Sequence, residues 1–221
     1  MTDIRRFWQL IEPVHAVTYF EPAAEASARA LGLNGFWAPY VVQRAAPLGA
    51  VGPEVVTAAF FGFHPRRAAA VLPQAWEVTS PQTALRVREQ GAVDSLRPLL
   101  GETPVEELAD LLWRAAESAD CAGRPLAAAN AALPRPKDPL AALWQATTTL
   151  REHRGDGHVA ACVSHGVTPV QAMQLKVAAG ESDGEPLRLG RAWSTEAWEA
   201  EAHVLRAKGL VDDAGLTQDG R

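Results

Sequence analysis

Short stretches of helical periodicity, separated by proline and glycine, constrain the fold of this chain more than any other feature of its sequence. Residues 3–17 place apolar side chains at helical spacing, and residues 22–31 do so between Pro22 and Gly32. Proline suits the first turn of a helix, and glycine suits the position just past its end. The same signals predict helices over 36–44, 65–72, 83–93, 105–119, 139–150, 168–179 and 194–208. The sequence therefore predicts a mainly α fold.

Two segments carry a β signal. Residues 55–63 are β-branched and aromatic, which fits either a strand or a buried helix. Residues 210–217 place an Asp-Asp-Ala-Gly turn between Leu-Val and Leu-Thr, which predicts a small β-hairpin.

Residues 120–139 divide the chain into two parts, because glycine and several prolines interrupt every helical pattern there. We therefore predict an N-terminal domain over 1–120, a Pro/Gly-rich linker over 121–139 and a C-terminal domain over 140–221. The halves also look related, since Phe-Trp-Gln at 7–9 matches Leu-Trp-Gln at 143–145. The alternative is two helical segments of similar composition.

Composition limits the functional classes. The net charge of −5 gives no bulk attraction to nucleic acid or to an anionic membrane, although a local basic patch could exist. No signal peptide precedes the first helix, and no run of about 18 apolar residues predicts a membrane span. The two cysteines, Cys121 and Cys162, show no framework spacing. We expect a cytoplasmic protein with reduced thiols and no membrane partner.

Residues 150–158 form the densest cluster of reactive side chains. The candidates in this cluster are Arg151, His153, Arg154, Asp156 and His158. Two arginines three positions apart share a helical face and could clamp a carboxylate or phosphate, and an imidazole could act as acid or base near neutral pH. The alternative is an ordinary helix junction, in which Asp156 caps the next helix.

A second cluster lies on the first predicted helix. Glu12, His15 and Tyr19 are spaced so that all three share one face, provided that Pro13 does not break the helix. The match between the halves places His15 opposite Arg151, so the two clusters could line one cavity. The alternative is a hydrogen-bonded polar network in the core.

His64 stands before Pro65 and is either structural or an axial ligand to haem or a metal. No second ligand lies at metal-binding spacing from it, and His153 and His158 are five positions apart rather than four. The sequence contains no phosphate-binding glycine loop and no nucleophile motif. We therefore predict no metal site, and the sequence indicates neither a cofactor nor a reaction.

The C-terminal part resembles the winged-helix domain of MarR-type regulators. The resemblance rests on residues 205–221, LRAKGLVDDAGLTQDGR, and the whole chain is similar to an actinobacterial helix-turn-helix family. The stretches 12–20, 61–65 and 150–158 carry that wider similarity. It implies two winged-helix-like (helix-turn-helix) halves with small β-hairpin wings. Such proteins continue into a further helix where this chain stops, so we expect either a fragment or a naturally short form.

The resemblance also implies DNA binding, but charge does not support it. The candidate recognition helix is either 168–179 or 194–208. The first has Lys176 as its only basic residue, and the second carries Glu196, Glu199 and Glu201, whose carboxylates repel phosphates. We therefore predict a protein that binds, and could act on, a small molecule in a His/Arg-lined cavity between its halves. The alternative is a ligand-responsive MarR-like transcription regulator that binds DNA. The predicted cavity is lined by Glu12, His15, Tyr19, His64, Arg151, His153, Arg154, Asp156 and His158.

Overall fold

A computed structural model describes residues 2–220 of the chain, with side chains from residue 4 onward. The fold is mainly α, as the sequence predicts. Its helices are α1 (Thr2–Phe20), α2 (Pro22–Arg29), α3 (Trp37–Ala45), α4 (Pro53–Phe60), α5 (Pro65–Ala69), α6 (Ala75–Val78), α7 (Pro81–Leu100), α8 (Glu106–Glu117), α9 (Pro125–Ala131), α10 (Pro139–Ser164), α11 (Pro169–Ala178), α12 (Gly184–Gly190) and α13 (Thr195–Ala207). The strands β1 (Val211–Asp212) and β2 (Gly215–Leu216) pair antiparallel, which confirms the predicted hairpin.

Local signals explain most helix starts. Proline occupies the first turn of α2, α5, α7, α9 and α11. At α11 the Thr168 hydroxyl accepts from the Gln171 N–H while the Gln171 side chain accepts from the Thr168 N–H. Ser194 caps α13 by accepting from the Ala197 N–H. Each cap satisfies an N–H that a helix terminus leaves without a partner.

Four sequence expectations are decided by the structure. The helix predicted to end at Leu150 continues through Ser164 as α10, so the predicted junction at residues 150–158 was wrong. Pro13 lies inside α1 without ending it. The segment predicted as a linker contains α9, whose Leu126 and Ala127 are fully buried. Of the stretch 55–63, which fits either a strand or a buried helix, residues 55–60 belong to helix α4 and residues 61–63 do not.

The chain forms two compact units that alternate along the sequence. Unit 1 comprises the residues up to Gly52 together with Val71–Gly157. Its core packs α1, α7, α8 and the first part of α10 around Trp144, which is 1% exposed. Close approach of α2 and α7 depends on Gly91, where a Cβ atom would lie 3.0 Å from the Ala24 Cα.

Unit 2 comprises Pro53–Ala70 together with the residues from His158 onward. Helix α11 packs against α12 and α13, and the hairpin follows α13 and contacts α11. Leu205 of α13 is fully buried at the centre of this arrangement. The two units do not coincide with the predicted limits 1–120, 121–139 and 140–221, and those domain limits stay a prediction.

The segment before α5 supports the turn between α12 and α13. The His64 N–H donates to the Arg191 carbonyl oxygen at 2.9 Å, and the Trp193 indole N–H donates to the Gly62 carbonyl oxygen at 2.9 Å. The His64 and Trp193 rings meet edge to face with centroids 4.8 Å apart. Residues separated by about 130 positions thus complete one turn.

Over residues 2–220 the hairpin is the only sheet, so a wing in the N-terminal half is not confirmed. Within the same residues, none of the helices combines the length and the apolar character that a membrane crossing requires.

Candidate functional site

The most unusual feature of unit 1 is a buried ion cluster centred on Glu152, which is 1% exposed. Arg44 from α3 holds the carboxylate in bidentate fashion, with Nε–Oε1 at 2.9 Å and Nη2–Oε2 at 3.0 Å. Arg151 donates to Oε2 as well, at 3.0 Å. Two guanidinium groups therefore share one carboxylate inside the protein.

Each charged group of this cluster stabilises the ionised form of its partner. Burial alone would raise the pKa of Glu152, but the charges of Arg44 and Arg151 outweigh it and hold that pKa far below its usual range. Burial likewise opposes the charge of Arg44, and the Glu152 carboxylate reverses that effect and raises the pKa of Arg44. The cluster therefore stays ionised at neutral pH.

His15 lies beside the cluster, on α1, and is 1% exposed. Thr148 donates its hydroxyl proton to the Trp144 carbonyl oxygen at 2.8 Å, so its oxygen accepts from His15 Nδ1 at 3.0 Å. This network assigns the proton to Nδ1. Nε2 is then an unprotonated acceptor, and it has no hydrogen-bond partner among the side chains that the structure describes. Burial, assisted by the charge of Arg151, holds the pKa of His15 well below its ordinary value.

Arg88 is a second buried cation, on α7, and is 4% exposed. It donates to the Gln43 carbonyl oxygen at 3.3 Å, to Asn130 Oδ1 at 3.0 Å and to Gln145 Oε1 at 3.2 Å. These partners are all neutral, and burial lowers the pKa of Arg88 to about 10. Its guanidinium group lies over the Trp144 ring, 5.3 Å from the centroid.

A pocket of about 370 Å³ opens between α1, α2 and α3 of unit 1. Tyr19 and Tyr40 stand side by side in its wall with ring centroids 4.8 Å apart, and Phe36 stacks on Tyr40 at 5.9 Å. The complete lining is Thr18, Tyr19, Ala24, Glu25, Ala28, Arg29, Leu33, Asn34, Gly35, Phe36, Pro39, Tyr40 and Gln43. We call it the tyrosine pocket.

The wall of the tyrosine pocket connects directly to the buried cations. The Thr18 hydroxyl donates to the Arg88 carbonyl oxygen at 3.3 Å, and the Gln43 carbonyl oxygen accepts from Arg88. Tyr19 and Tyr40 lie within electrostatic range of Arg44 and Arg151. The pocket therefore has an aromatic wall backed by fixed charge.

Four of the residues predicted for the site fall close together. Tyr19 lines the pocket, while His15 and Arg151 belong to the network behind it. Glu12 is half-buried, and burial raises its pKa against the opposing charge of Arg151. Of Glu12, His15 and Tyr19, for which the alternative is a hydrogen-bonded polar network, His15 bonds Thr148, while Glu12 Oε2 and His15 Nε2 have no hydrogen-bond partner among the described residues.

The remaining predicted residues of α10 in unit 1 make structural contacts. His153 Nε2 donates to the Asp120 carbonyl oxygen at 2.8 Å, and Arg154 lies 4.2 Å over the Trp8 ring. Asp156 was expected to cap a helix beginning at its own position. Instead its carboxylate accepts from the Ala127 N–H at 2.9 Å, in the first turn of α9.

His64 and His158 belong to unit 2. His64 Nδ1 accepts from the Arg66 N–H at 3.1 Å and so caps α5. His158 is exposed, with Nε2 3.6 Å from the Cys162 sulfur. Among the described residues no group of three or more His, Cys, Asp or Glu side chains could hold a metal ion.

Sequence reasoning missed Arg44, Arg88 and Tyr40. One signal was available for Arg44, because it stands in the otherwise apolar helix WAPYVVQRA, where a charge needs a buried partner. Arg88 gave no such signal, since its surroundings in α7 are polar. Glu152 lies within the predicted cluster at residues 150–158 but is not among the predicted site residues.

Unit 2 carries a group of three arginines beside the turn between α12 and α13. Arg66, Arg67 and Arg191 lie close enough there that, besides burial, the other two arginines lower the pKa of Arg67. Arg67 donates to the carbonyl oxygens of Leu189 and Gly190, and Arg191 lies 4.0 Å over the Phe63 ring. We call these three arginines the turn arginines.

Comparison with known proteins gives one match. The model of a helix-turn-helix family matches residues 4–221, nearly the whole chain. Neither a curated protein nor a solved structure matches the chain significantly.

Proposed function

This chain belongs to the helix-turn-helix family, and we propose that it binds a small molecule in the tyrosine pocket. The single observation that carries the proposal is the pocket itself. Its volume of about 370 Å³ lies within the range typical of ligand sites, and its wall contains both aromatic and polar side chains.

The buried groups behind the pocket support this reading. Groups with strongly shifted pKa values concentrate at functional sites, although structural ion pairs shift pKa values as well. Here the shifted groups Glu152, Arg44 and His15 share one network with the pocket residue Tyr19. A purely structural purpose is a weak explanation, since a buried ion cluster seldom stabilises a fold more than apolar packing does.

The tyrosine pocket includes fewer of the predicted residues than the cavity predicted from the sequence. The pocket is lined by one of the nine predicted residues, Tyr19, and by residues of unit 1 throughout. A cavity between the two halves, lined by the whole predicted set, stays a prediction, and so does turnover of the ligand.

The test begins with native mass spectrometry of the full chain purified from its own host, to detect a bound small molecule. A library of acids, bases and neutral compounds is then screened by thermal unfolding, because a ligand that binds only the folded state raises the melting temperature. Leu33→Trp fills the pocket and should abolish the response. Leu99→Trp, at an exposed position outside the pocket, should leave it unchanged. A response that survives Leu33→Trp would remove the pocket from consideration.

A second candidate function is DNA binding through unit 2, as in a ligand-responsive transcription regulator. The order α12, turn, α13 and hairpin is that of a winged helix-turn-helix, in which the second helix enters the major groove. Charge on α13 opposes this, since Glu196 and Glu199 are exposed. The turn arginines favour it, because they place positive charge beside the start of α13, where phosphates would lie.

Salt dependence tests this candidate. We expect the full chain to bind a labelled DNA duplex from its own upstream region, with affinity that falls as salt rises. Replacing the exposed Arg66 by Gln should reduce the slope of log K against log salt by about one, because one phosphate contact is lost. Arg114→Gln, at an exposed position of unit 1, should leave the slope unchanged. Absence of binding at low salt would end this candidate.

A further inference from the structure

The charges behind the tyrosine pocket are unequal in sign. Arg44 and Arg151 share the single carboxylate of Glu152, and Arg88 donates only to neutral groups among the contacts that its guanidinium makes. His15 adds no further charge, because burial keeps its imidazole neutral. Three guanidinium groups thus lie near two buried carboxylates, Glu152 and Asp156, which leaves an excess of positive charge.

Other carboxylates near the pocket do not cancel this excess. Glu89 acts on Arg88 and Glu12 acts on Arg151, but both are partly solvated, and burial raises the pKa of each. Glu25 lies at the rim and is already paired with Arg29 at 2.9 Å, with both side chains largely in water. Solvent screens such a pair, whereas charges in the interior act over longer distances.

The guanidinium group of Arg88 directly contacts one residue of the pocket wall. Arg88 Nη1 donates to the carbonyl oxygen of Gln43, and the Thr18 hydroxyl donates to the backbone of Arg88. Thr18 and Gln43 both line the pocket. Gln43 therefore contacts the Arg88 guanidinium group, and Thr18 contacts the backbone of the same arginine. Among the described residues, no carboxylate lies within hydrogen-bonding distance of this guanidinium group.

The rest of the wall is suited to a flat apolar group. Phe36 and Tyr40 are stacked with an angle of 23° between their planes, and Tyr19 adds a third ring beside them. Aromatic rings bind planar partners by offset stacking or by edge-to-face contact. A ligand with a ring at this side could place a polar group against Thr18 and Gln43.

We propose that the ligand of the tyrosine pocket is a small organic anion with a planar aromatic body. Its negative charge lies toward Thr18 and Gln43, where the field of Arg88 and of the Arg44–Glu152–Arg151 cluster is positive. This inference rests on the proposed function, since it names the chemical class that the pocket accepts. A cation is repelled from this position, and a neutral isostere gains nothing from the buried charge.

The test compares matched ligands that differ only in charge. The probes are 2-naphthoate against 2-naphthamide and benzoate against benzamide, titrated into the full chain by isothermal calorimetry. We expect each carboxylate to bind about tenfold or more tightly than its amide, as charged hydrogen-bonding groups gain more than neutral ones in a buried site. Cyclohexanecarboxylate, which keeps the charge and loses the planar ring, should bind more weakly than benzoate.

Two arginine variants test whether the charge of Arg88 causes the preference for the carboxylate over the amide. Arg88→Gln removes the buried charge and keeps a hydrogen-bond donor, so the ratio of acid to amide affinity should fall while amide affinity changes little. Arg97→Gln removes an exposed arginine of the same helix and should leave the ratio unchanged. If Arg88→Gln does not fold, the wild-type ratio still decides the matter.

The outcomes separate this inference from the function on which it rests. A carboxylate preference that Leu33→Trp abolishes supports both. Equal affinity for acid and amide overturns the inference and leaves the pocket as a ligand site. Absence of binding by any probe, together with no response to the wider library, overturns both.

Discussion

Glu152 compensates the charges of two arginines, of which Arg44 is buried and Arg151 is partly buried. Glu152→Gln keeps the shape of the side chain but leaves Arg44 and Arg151 without a compensating charge. Breaking a buried ion pair in this way costs about 3–5 kcal/mol of stability. We expect a loss of this size in the free energy of unfolding measured in urea. Glu25→Gln, which breaks the exposed pair with Arg29, should change it little, and equal effects would contradict the assignment.

His15 makes stability depend on pH. Burial holds its pKa well below the ordinary value of 6.5, so the unfolded chain takes up a proton that the folded chain refuses. Stability is therefore fully present above pH 6.5 and falls as the pH decreases below it. His15→Asn offers Thr148 a donor and cannot be protonated, so the loss of stability between about pH 7 and pH 5 should shrink. Melting temperatures across this range measure it.

Glu152 contributes to acid sensitivity in a lower window. Its pKa is depressed in the folded state, so its contribution is present above the ordinary value of 4.5 and is lost as the pH falls below that. The effect of His15→Asn should thus appear first on acidification. If His15→Asn leaves the pH dependence of the melting temperature unchanged, the folded protein protonates His15 as readily as the unfolded chain does.

The candidate site was only partly predictable from the sequence. Helical spacing identified Glu12, His15 and Tyr19 as one face because spacing is a local property. The partner of Glu152 was not predictable in this way, because Arg44 lies 108 positions earlier. Which distant residues meet depends on how the helices pack, and one sequence does not encode that packing in any short motif.

Helix α10 shows how tertiary contacts override local signals. The sequence Arg-Gly-Asp-Gly-His at 154–158 resembles a break, since glycine disfavours helix and aspartate favours caps. The helix nevertheless continues, because Asp156 bonds the backbone of α9 and Glu152 bonds Arg44. By contrast, α2, α11 and α13 begin where the sequence predicts, because the signals are local: Pro22 opens α2, and Thr168 and Ser194 cap α11 and α13.

Two glycines of α10 offer a matched pair of substitutions. A Cβ atom at Gly155 would lie 3.6 Å from Glu152 Oε2, which is ordinary contact, so Gly155→Ala should stabilise the protein by about 0.5–1 kcal/mol. A Cβ atom at Gly157 would collide with the Arg124 guanidinium, which donates to the His153 carbonyl oxygen. Gly157→Ala should therefore gain nothing or lose stability. Denaturant midpoints compare the two, and an equal gain would mean that Arg124 moves away freely.

Unit 2 is formed by two separate segments of the chain, so a continuous C-terminal fragment does not contain all of it. Residues 158–221 lack Phe63, which is buried, and the partners of Trp193 and Arg191 in the segment before α5. We expect this fragment alone to show weak helical circular dichroism and no cooperative melting. A single chain that joins residues 53–70 to residues 158–221 through a flexible linker should recover both. Cooperative melting of the shorter fragment would show that the early segment is dispensable.

The contact of residues 61–67 with the turn between α12 and α13 sets an order of events during synthesis. During synthesis, residues 61–67 leave the ribosome long before Trp193 is made. Phe63 is therefore exposed without its contacts in the turn, and chaperones can bind it. Unit 2 is also not continuous in sequence, so a gene transfer that begins after α10 would leave residues 53–70 behind. Recombination within this lineage should therefore preserve the chain as a whole.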